Sequence, residues 1–310
     1  MISIALASYN GEKYIREQLD SILNQTIQDF EVVVCDDAST DNTWIILEEY
    51  KEKDNRFRIY RNEKNLGFKK NFEKAISLCK GDYIALSDQD DIWTSNHLEI
   101  LLNIIGDKLL ACGNSQIVDN KGVDKGYDLR KLEALDFVSN YNLDIAYRVM
   151  LMGNPFQGAC MMLNKSFCDI ALPLPEQINF HDTWFAALST ICNSFVYTSK
   201  VINSYRQHNE NVTSLYKKSF CNLVKNMRLQ SFSRNDRPFY IKAIKERVNV
   251  KFLEIETVNF IEKVDWYYEN IENKKEKLSL AYFRFKNYSR IYSTKSKKLY
   301  LPRLIKFLIT

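Results

Sequence analysis

The sequence predicts an α/β fold with a mostly parallel sheet, and three observations carry that expectation. Short apolar runs alternate with helical stripes at close spacing through the first 90 residues, the pattern of a doubly wound sheet. Two of those runs stop abruptly in carboxylates: Phe30–Cys35 runs into Asp36-Asp37, and Tyr83–Ser87 into Asp88-Gln89-Asp90-Asp91. Ligands of open α/β sheets collect outside the carboxyl ends of the strands, so these acids stand where chemistry is expected. No GxGxxG follows any strand, which argues against a dinucleotide fold.

Taken in order, Ile2–Ala7 is a short apolar strand with no room for a helix before Asn10-Gly11. Between Glu12 and Gln25, the residues Ile15, Leu19, Ile22 and Leu23 form a helical stripe, and Asn10 is a fair N-cap for it. After the second strand and its two acids, Ala38–Thr43 reads as a turn and cap, and Trp44–Tyr50 begins a second helix. Arg56–Arg61 is a third strand. Asn65-Leu66-Gly67 turns into a helix over Phe68–Cys79, and the strand leading to Asp88 follows. A helix begins near Ser95, and Leu109–Cys112 continues into Ile117–Asp119 as a strand with an Asn120-Lys121-Gly122 turn. Residues 124–150 mix helical stretches with polar loop. Gly153–Ala159 is a turn-rich approach to the strand Cys160–Leu163, whose Met161-Met162 pair reads as core. Phe195–Thr198 and Val201–Tyr205 read as two short strands, and from Lys217 onward the pattern is helical.

The 310 residues, 45% hydrophobic, suffice for one large domain or two medium ones. Nine Gly and five Pro exclude low-complexity and collagen-like classes. No apolar run approaches the ~18 residues of a spanning helix, and the amino terminus carries no charged-then-apolar leader, so a cytosolic chain is expected. The seven cysteines are scattered without a CxxC pair, which favours buried free thiols over a disulfide or zinc framework. The net charge of +4 is uneven. Residues 217–310 hold 22 Lys+Arg against 9 Asp+Glu, while residues 1–216 are net acidic. That asymmetry suggests a body at 1–216 and a basic helical region at 217–310.

Three carboxylates within four residues repel one another, and a hard divalent cation bridging to phosphate oxygens would hold them together. The plain alternative is a solvated acidic turn capping the next helix, and the stretch by itself leaves both open.

Four motifs tip the balance. Ala7-Ser8-Tyr9-Asn10 with Glu12, then Asp36–Asp41, then Asn65-Leu66-Gly67, then Asp88–Asp91 resemble, in order and spacing, the family 2 glycosyltransferases of GT-A fold. The match is tight over about the first 120 residues. It implies a mixed, mostly parallel sheet flanked by helices. The implied activity is sugar transfer from a nucleotide-diphosphate donor with inversion, usually with Mg²⁺ or Mn²⁺. Carried over residue by residue, it puts Ala7, Tyr9 and Glu12 in the nucleoside pocket, Tyr9 against the pyrimidine. Asp37 receives the base N–H, and Asp36 is structural or a second contact. Asp88 lies near the ribose and Asp90 holds the metal, while Asp91 is common in the family without a clear assignment. A carboxylate suits the imide N–H of uracil or thymine, and a metal neutralises the departing diphosphate. Lys69 and Lys70 either add charge near the phosphates or are solvated helix residues.

Downstream, Asp182 opens an amphipathic helix after the Pro173-Leu174-Pro175 loop. Position alone makes it an N-cap. The resemblance makes it the catalytic base, and His181-Asp182-Thr183-Trp184 is similar to a motif of bacterial rhamnosyltransferase-like members, with His181 and Trp184 on the acceptor side. The string Tyr205-Arg206-Gln207-His208 with Asn211 is also similar. It implies that Arg206 clamps the diphosphate and His208 ligates the metal or a phosphate, whereas His97 is structural. From these two motifs alone comes dTDP-L-rhamnose as the donor, with a UDP-hexose as the alternative. The acceptor would be a glycan or lipid-linked glycan of bacterial surface polysaccharide synthesis. A non-catalytic nucleotide-sugar-binding scaffold is the competing class, and it would be expected to lack one of Asp37, Asp88, Asp90 and Asp182. All four are present.

Residues 274–310 carry 11 Lys+Arg and one acid, interleaved with seven Tyr or Phe. They suit a packed helical region with a solvated basic face, peripheral contact with an anionic membrane through Tyr300–Ile309, or, less readily, nucleic acid.

Overall fold

The computed structural model describes residues 1–132, 142–209, 211, 237–249, 251, 253–270 and 277–287. Its centre is a sheet of nine strands among the described residues. Four are parallel: β1 (Ile2–Ser8), β2 (Phe30–Asp36), β3 (Phe57–Arg61) and β4 (Tyr83–Asp88) stand in the order β3-β2-β1-β4. The crossovers between them are α1 (Ile15–Leu23), α2 (Thr43–Lys53) and α3 (Phe68–Leu78). Every residue of β2 is buried, as a central strand covered by helices requires; Val32–Cys35 therefore reads as an apolar run, and the one acid before it, Glu31, is paired with Ser3 and Arg58.

Beyond β4 the sheet becomes mixed. β8 (Met161–Asn164) lies antiparallel between β4 and β6 (Leu110–Val118). β9 (Phe195–Arg206) runs parallel to β6, and the short β5 (Ile92–Trp93) and β7 (Asp124–Asp128) pair antiparallel with β9 and β6. Strand–helix alternation alone predicts a parallel sheet. The strand expected at 160–163 is present as β8, after the 3₁₀ turn Gly158–Cys160, and its antiparallel sense accords with the mixed sheet that the resemblance implies. The two short strands expected over 195–205 are one strand, with irregular register at Asn114 that absorbs the polar Thr198–Lys200 stretch.

The remaining helices are α4 (His97–Ile105), α5 (Leu129–Leu132), α6 (Asn142–Met152), α7 (Lys165–Ala171), α8 (His181–Ile191), α9 (Arg237–Arg247), α10 (Ile255–Asn270) and α11 (Lys277–Lys286). Tyr240, Ile241 and Ile244 of α9 and Phe260, Ile261 and Val264 of α10 are buried in the same apolar cluster as the sheet residues. Of the basic region, residues 217–236, 250, 252, 271–276 and 288–310 lie outside the described residues, and with them the segment Tyr300–Ile309. Among the described residues, no helix is long and apolar enough to cross a membrane.

Two capping expectations are corrected. Asn10 does not cap α1: it takes a left-handed backbone, φ 48°, and its side-chain oxygen accepts the Thr40 N–H at 2.8 Å. Asx residues tolerate that conformation, so Asn10 serves the turn. Nor do the acids of 88–91 cap α4, whose N-cap position is Asn96.

Candidate functional site

The parallel register brings three strand ends to one edge. Ala7 stands opposite Cys35 on one side and Asp88 on the other, and Ser8 faces Asp36. Asp36 is fully buried and holds its own turn, accepting the Ser39 N–H at 3.1 Å and the Ser8 hydroxyl at 3.3 Å. Asp37 receives the N–H groups of Leu66 and Gly67 at 2.8 and 2.9 Å and the Asn62 amide at 2.7 Å. This explains the spacing of Asn65-Leu66-Gly67: the loop before α3 folds back onto the end of β2. Gly67 needs its φ of +83° there, which a glycine adopts without steric penalty.

Tyr9 is 44% exposed at the mouth of this edge. Its backbone is zipped to Gln89, whose Oε1 accepts the Tyr9 N–H at 2.8 Å and whose Nε2 donates to the Tyr9 carbonyl at 2.9 Å. A Cβ on Gly11 would stand 2.2 Å from that Oε1, so the pairing depends on glycine there. Glu12 is exposed and accepts both the backbone and side-chain N–H of Asn42, at 2.9 and 2.8 Å, joining the loops after β1 and β2.

At the end of β4 the acids have different surroundings. Burial pushes the Asp88 carboxyl up to about 8, and the charges of Asp90 and Asp182 add to the effect. Asp90 meets His208 Nε2 at 2.8 Å and the Asn211 amide at 3.3 Å. Asp91 is fully buried and structural. It accepts from Asn203 at 2.7 Å, Gln157 at 2.9 Å and the Arg206 N–H at 3.1 Å, so one carboxylate ties β9 and the approach to β8 to the acidic turn.

Arg206 was expected to clamp a diphosphate, and the structure corrects this. Its side chain is 1% exposed and spent on protein: Glu17 at 2.6 Å, the Asp90 carbonyl at 2.9 Å and the Asn120 carbonyl at 3.3 Å, with the guanidinium over the Tyr14 ring. It braces the backbone that presents Asp90. Trp184 is corrected likewise. It is fully buried and its indole N–H donates to the Ala171 carbonyl at 2.9 Å, so it packs α8 against α7 and does not face an acceptor. Lys70 pairs with Glu73 at 3.0 Å, and Lys69 points its ammonium at backbone carbonyls of residues 175–178. His97 is buried against Trp93, rings 3.8 Å apart, as a structural histidine should be.

Asp182 is the second residue of α8, in the first turn where a carboxylate is favoured, and it accepts the Thr183 N–H. Burial pushes its carboxyl up to about 6 against opposing hydrogen bonds from Thr183 and Asn154. His181 stacks on Phe72 at 4.2 Å, and neither ring nitrogen has a hydrogen-bond partner. Burial pushes its pKa down to about 3, so the ring is neutral. Gly158 allows this packing: a Cβ there would come within 3.0 Å of His181 Nε2.

Among the described residues no three His, Cys, Asp or Glu side chains gather into a metal cage. Asp90 and His208 form a two-residue donor set instead, one hard oxygen and one imidazole, backed by Asn211 and Arg206. That fits Mg²⁺ or Mn²⁺, which are commonly held by one or two side chains with substrate phosphates completing the shell.

Several working residues escape the sequence: Gln89, Asn62, Asn71, Gln157 and Asn203. Asn71 lies inside α3, yet its amide reaches the Cys35 carbonyl at 2.7 Å and its oxygen receives Asn62. The only available signal was a polar residue on the apolar stripe of a helix.

A mixed sheet whose parallel strand ends carry paired acids, with a separate half-buried carboxylate opening a helix within electrostatic reach of them, defines a GT-A type of transferase. The chain belongs to the family 2 glycosyltransferases: the family model described as Glycosyl transferase family 2 matches residues 3–169. It is a glycosyltransferase. A glycosyltransferase of Haemophilus influenzae without assigned specificity is 27% identical over 286 residues, 88% of this chain and 82% of that protein. The UDP-Glc:alpha-D-GlcNAc-diphosphoundecaprenol beta-1,3-glucosyltransferase of Escherichia coli is 34% identical over 125 residues, 40% of this chain and 49% of that enzyme. Among solved structures, Staphylococcus aureus TarS 1–349 in complex with UDP-GlcNAc superposes with a TM-score of 0.60 at 20% identity, covering 99% of this chain and 79% of TarS. The Pyrobaculum calidifontis mannosyltransferase in complex with GDP-Man and Mn²⁺ gives 0.60 at 14% identity, covering 99% and 84%. At such identities the two structures speak for the GT-A fold.

Proposed function

We propose that the protein is an inverting, metal-dependent transferase that moves a hexose from a pyrimidine nucleotide-diphosphate donor to a glycan hydroxyl. The observation that carries this is the grouping of Asp88, the Asp90–His208 pair and the raised Asp182 carboxylate within electrostatic reach of one another. In this reading Ala7, Tyr9, Glu12 and Asp37 take the nucleoside and Asp88 takes the ribose. Asp37 is 2% exposed and already accepts three hydrogen bonds, so its contact with the imide N–H rests on the family resemblance and would use its remaining lone pair. Asp90 and His208 hold the divalent ion, which would stabilise the departing diphosphate. Asp182 draws the proton from the acceptor hydroxyl as its oxygen attacks the anomeric carbon from the face opposite the leaving group. A hydroxyl far above pH 7 in pKa gives up its proton only as the bond forms, which is general-base catalysis. His181 stays neutral beside the base, on the acceptor side.

For the donor, the motifs at 181–184 and 205–211 favour dTDP-L-rhamnose. The E. coli relative's UDP-Glc and the UDP-GlcNAc of TarS favour a UDP-hexose. A lipid-linked glycan acceptor accords with the E. coli relative, and a basic helical region at 217–310 would then help hold the enzyme at an anionic surface. Calorimetry with dTDP-rhamnose, UDP-glucose, UDP-galactose and UDP-N-acetylglucosamine, with and without Mn²⁺, tests the reading. Mn²⁺-dependent binding of one donor above the rest supports it and names the sugar. Equal binding with and without Mn²⁺ would remove the metal from the mechanism.

A further inference from the structure

One face of α3 carries the loop that leads to Asp182. Phe68 and Phe72 lie four residues apart on that face, as do Lys69 and Glu73. Phe68 lies 5.7 Å from the Phe180 ring, and Phe72 stacks on His181. Glu73 accepts the Leu174 N–H at 2.6 Å. Between them the Lys69 ammonium donates to three carbonyls: Glu176 and Ile178 at 2.8 Å and Pro175 at 3.3 Å. An ammonium has three N–H donors, so this set is complete and nothing is left for a phosphate. From the other side Arg247 of α9 donates to the carbonyls of Leu172 at 2.8 Å and Pro173 at 2.7 Å, so two cations grip the same loop.

The same helix begins at the nucleotide end of the site. Its preceding Gly67 N–H is held by Asp37, two residues before Lys69. The nucleotide loop sits at the N-terminus of α3, and the approach to the base lies along its side.

We propose that Lys69 is a positioning residue for the transfer step: by gathering the carbonyls of Pro175, Glu176 and Ile178 it fixes the entry to α8, and so the place of Asp182, relative to the bound nucleotide. Lys69 touches neither substrate. Its removal loosens the base and leaves the nucleotide pocket intact, and displacements of about 1 Å in a reacting group cost on the order of 100-fold in rate. The inference rests on Asp182 as the base.

The test uses the full chain and the variants Lys69→Met, which keeps the length of the stem, and Lys69→Arg, which keeps a cation. In the ligand-free protein, Lys69→Met should speed amide exchange over residues 173–182 by about tenfold and leave β1, β2 and β4 unchanged, since charge-assisted bonds to a loop are worth at least that much. Calorimetry with UDP and with dTDP in Mn²⁺ should give affinities within about twofold of the unaltered chain. Release of nucleoside diphosphate from UDP-glucose or dTDP-L-rhamnose should fall about tenfold or more, and Lys69→Arg should recover most of it. Unchanged exchange at 173–182 overturns the proposal. So does a loss of UDP and dTDP affinity with exchange unaltered, which makes Lys69 a phosphate contact. Faster exchange throughout β1, β2 and β4 also overturns it, by making Lys69 a strut of the whole fold. The exchange and affinity measurements need no turnover. Asp182→Asn run alongside separates the two readings: if it retains full release, the base assignment fails whatever Lys69 does, whereas if only Lys69→Met retains it, the positioning role alone fails.

Discussion

The strand-end edge and the loop before Asp182 are built on opposite plans. At the edge, Tyr9, Asp37 and Asp90 sit one or two residues past the end of a strand and Ala7 and Asp88 within its last two, and the parallel register of β1, β2 and β4 aligns those ends automatically. Before α8, the loop that leads to Asp182 is held by partners far away in sequence: Lys69 on α3, Arg247 on α9, and Gly158 before β8. A site fixed by strand register tolerates change around it, whereas one fixed by a few long-range hydrogen bonds fails when one of them is lost.

The largest effects come from dividing the two halves. Asp182→Asn should lower turnover by about 10²–10⁴-fold, the usual contribution of a general base, and leave donor affinity unchanged. Asp90→Asn should instead abolish the Mn²⁺-dependent part of donor binding, read by calorimetry. Equal loss of donor affinity in both variants would show that the two carboxylates act as one site and would collapse the comparison.

Next in size is Arg206→Met. The guanidinium is buried, and its loss leaves the Asp90 and Asn120 carbonyls short of a donor and breaks the bond to Glu17. A stability loss of about 2–4 kcal/mol is expected, measured by denaturant unfolding, because buried charge-assisted bonds fall in that range. Donor affinity lost without loss of stability would restore the diphosphate clamp that the sequence suggested.

That residue shows where sequence reading ends. The edge was legible because a strand, its terminal acid and its turn are neighbours in the chain. The roles of Arg206 and Trp184 were not, since sequence gives a residue's type and spacing but not the direction its side chain takes. A cation near an acidic motif suits a phosphate and a buried brace equally well, and only the 1% exposure of Arg206 decides between them. Asp90 and His208 lie 118 residues apart, and periodicity gave no hint that they touch at 2.8 Å; only the family resemblance linked them to one metal. The strand at 160–163 was legible and the resemblance implied a mixed sheet, but which strand runs antiparallel was not, because an apolar run does not state its sense.

The pH dependence sharpens the contrast at the base. With its carboxyl pushed up to about 6, Asp182 would have to lose its proton to serve as the proposed base, so turnover should fall about tenfold per unit as pH drops below 6. The stability effect has the opposite sign. A carboxyl raised in the folded state stabilises the fold while protonated, and that contribution is lost as pH rises through about 6. Asp182→Asn should therefore raise the melting temperature relative to the unaltered chain at pH 8 and change it little at pH 4. No gain at pH 8 would mean that the carboxylate is not held under such a penalty.

The smallest effect probes the edge itself. A Cβ at Gly11 meets Gln89 Oε1 at 2.2 Å and Cδ at 2.5 Å. These are the far atoms of a flexible side chain, so Gly11→Ala pushes the amide aside and leaves the backbone in place. The two bonds that hold Tyr9 are then lost, and at about 1 kcal/mol each they set an upper bound of roughly 30-fold on the loss of donor affinity. Water replaces part of both bonds at this exposed mouth, so about fivefold is expected, with a stability loss under about 1 kcal/mol. Gln89→Ala removes the same pair from the other end, and the double variant should be no worse than either single one, as for any two changes that break one interaction. Additive losses would mean that Gly11 and Gln89 act on the nucleoside separately, and that the ordering of Tyr9 owes more to the strand end than to the amide that clasps it.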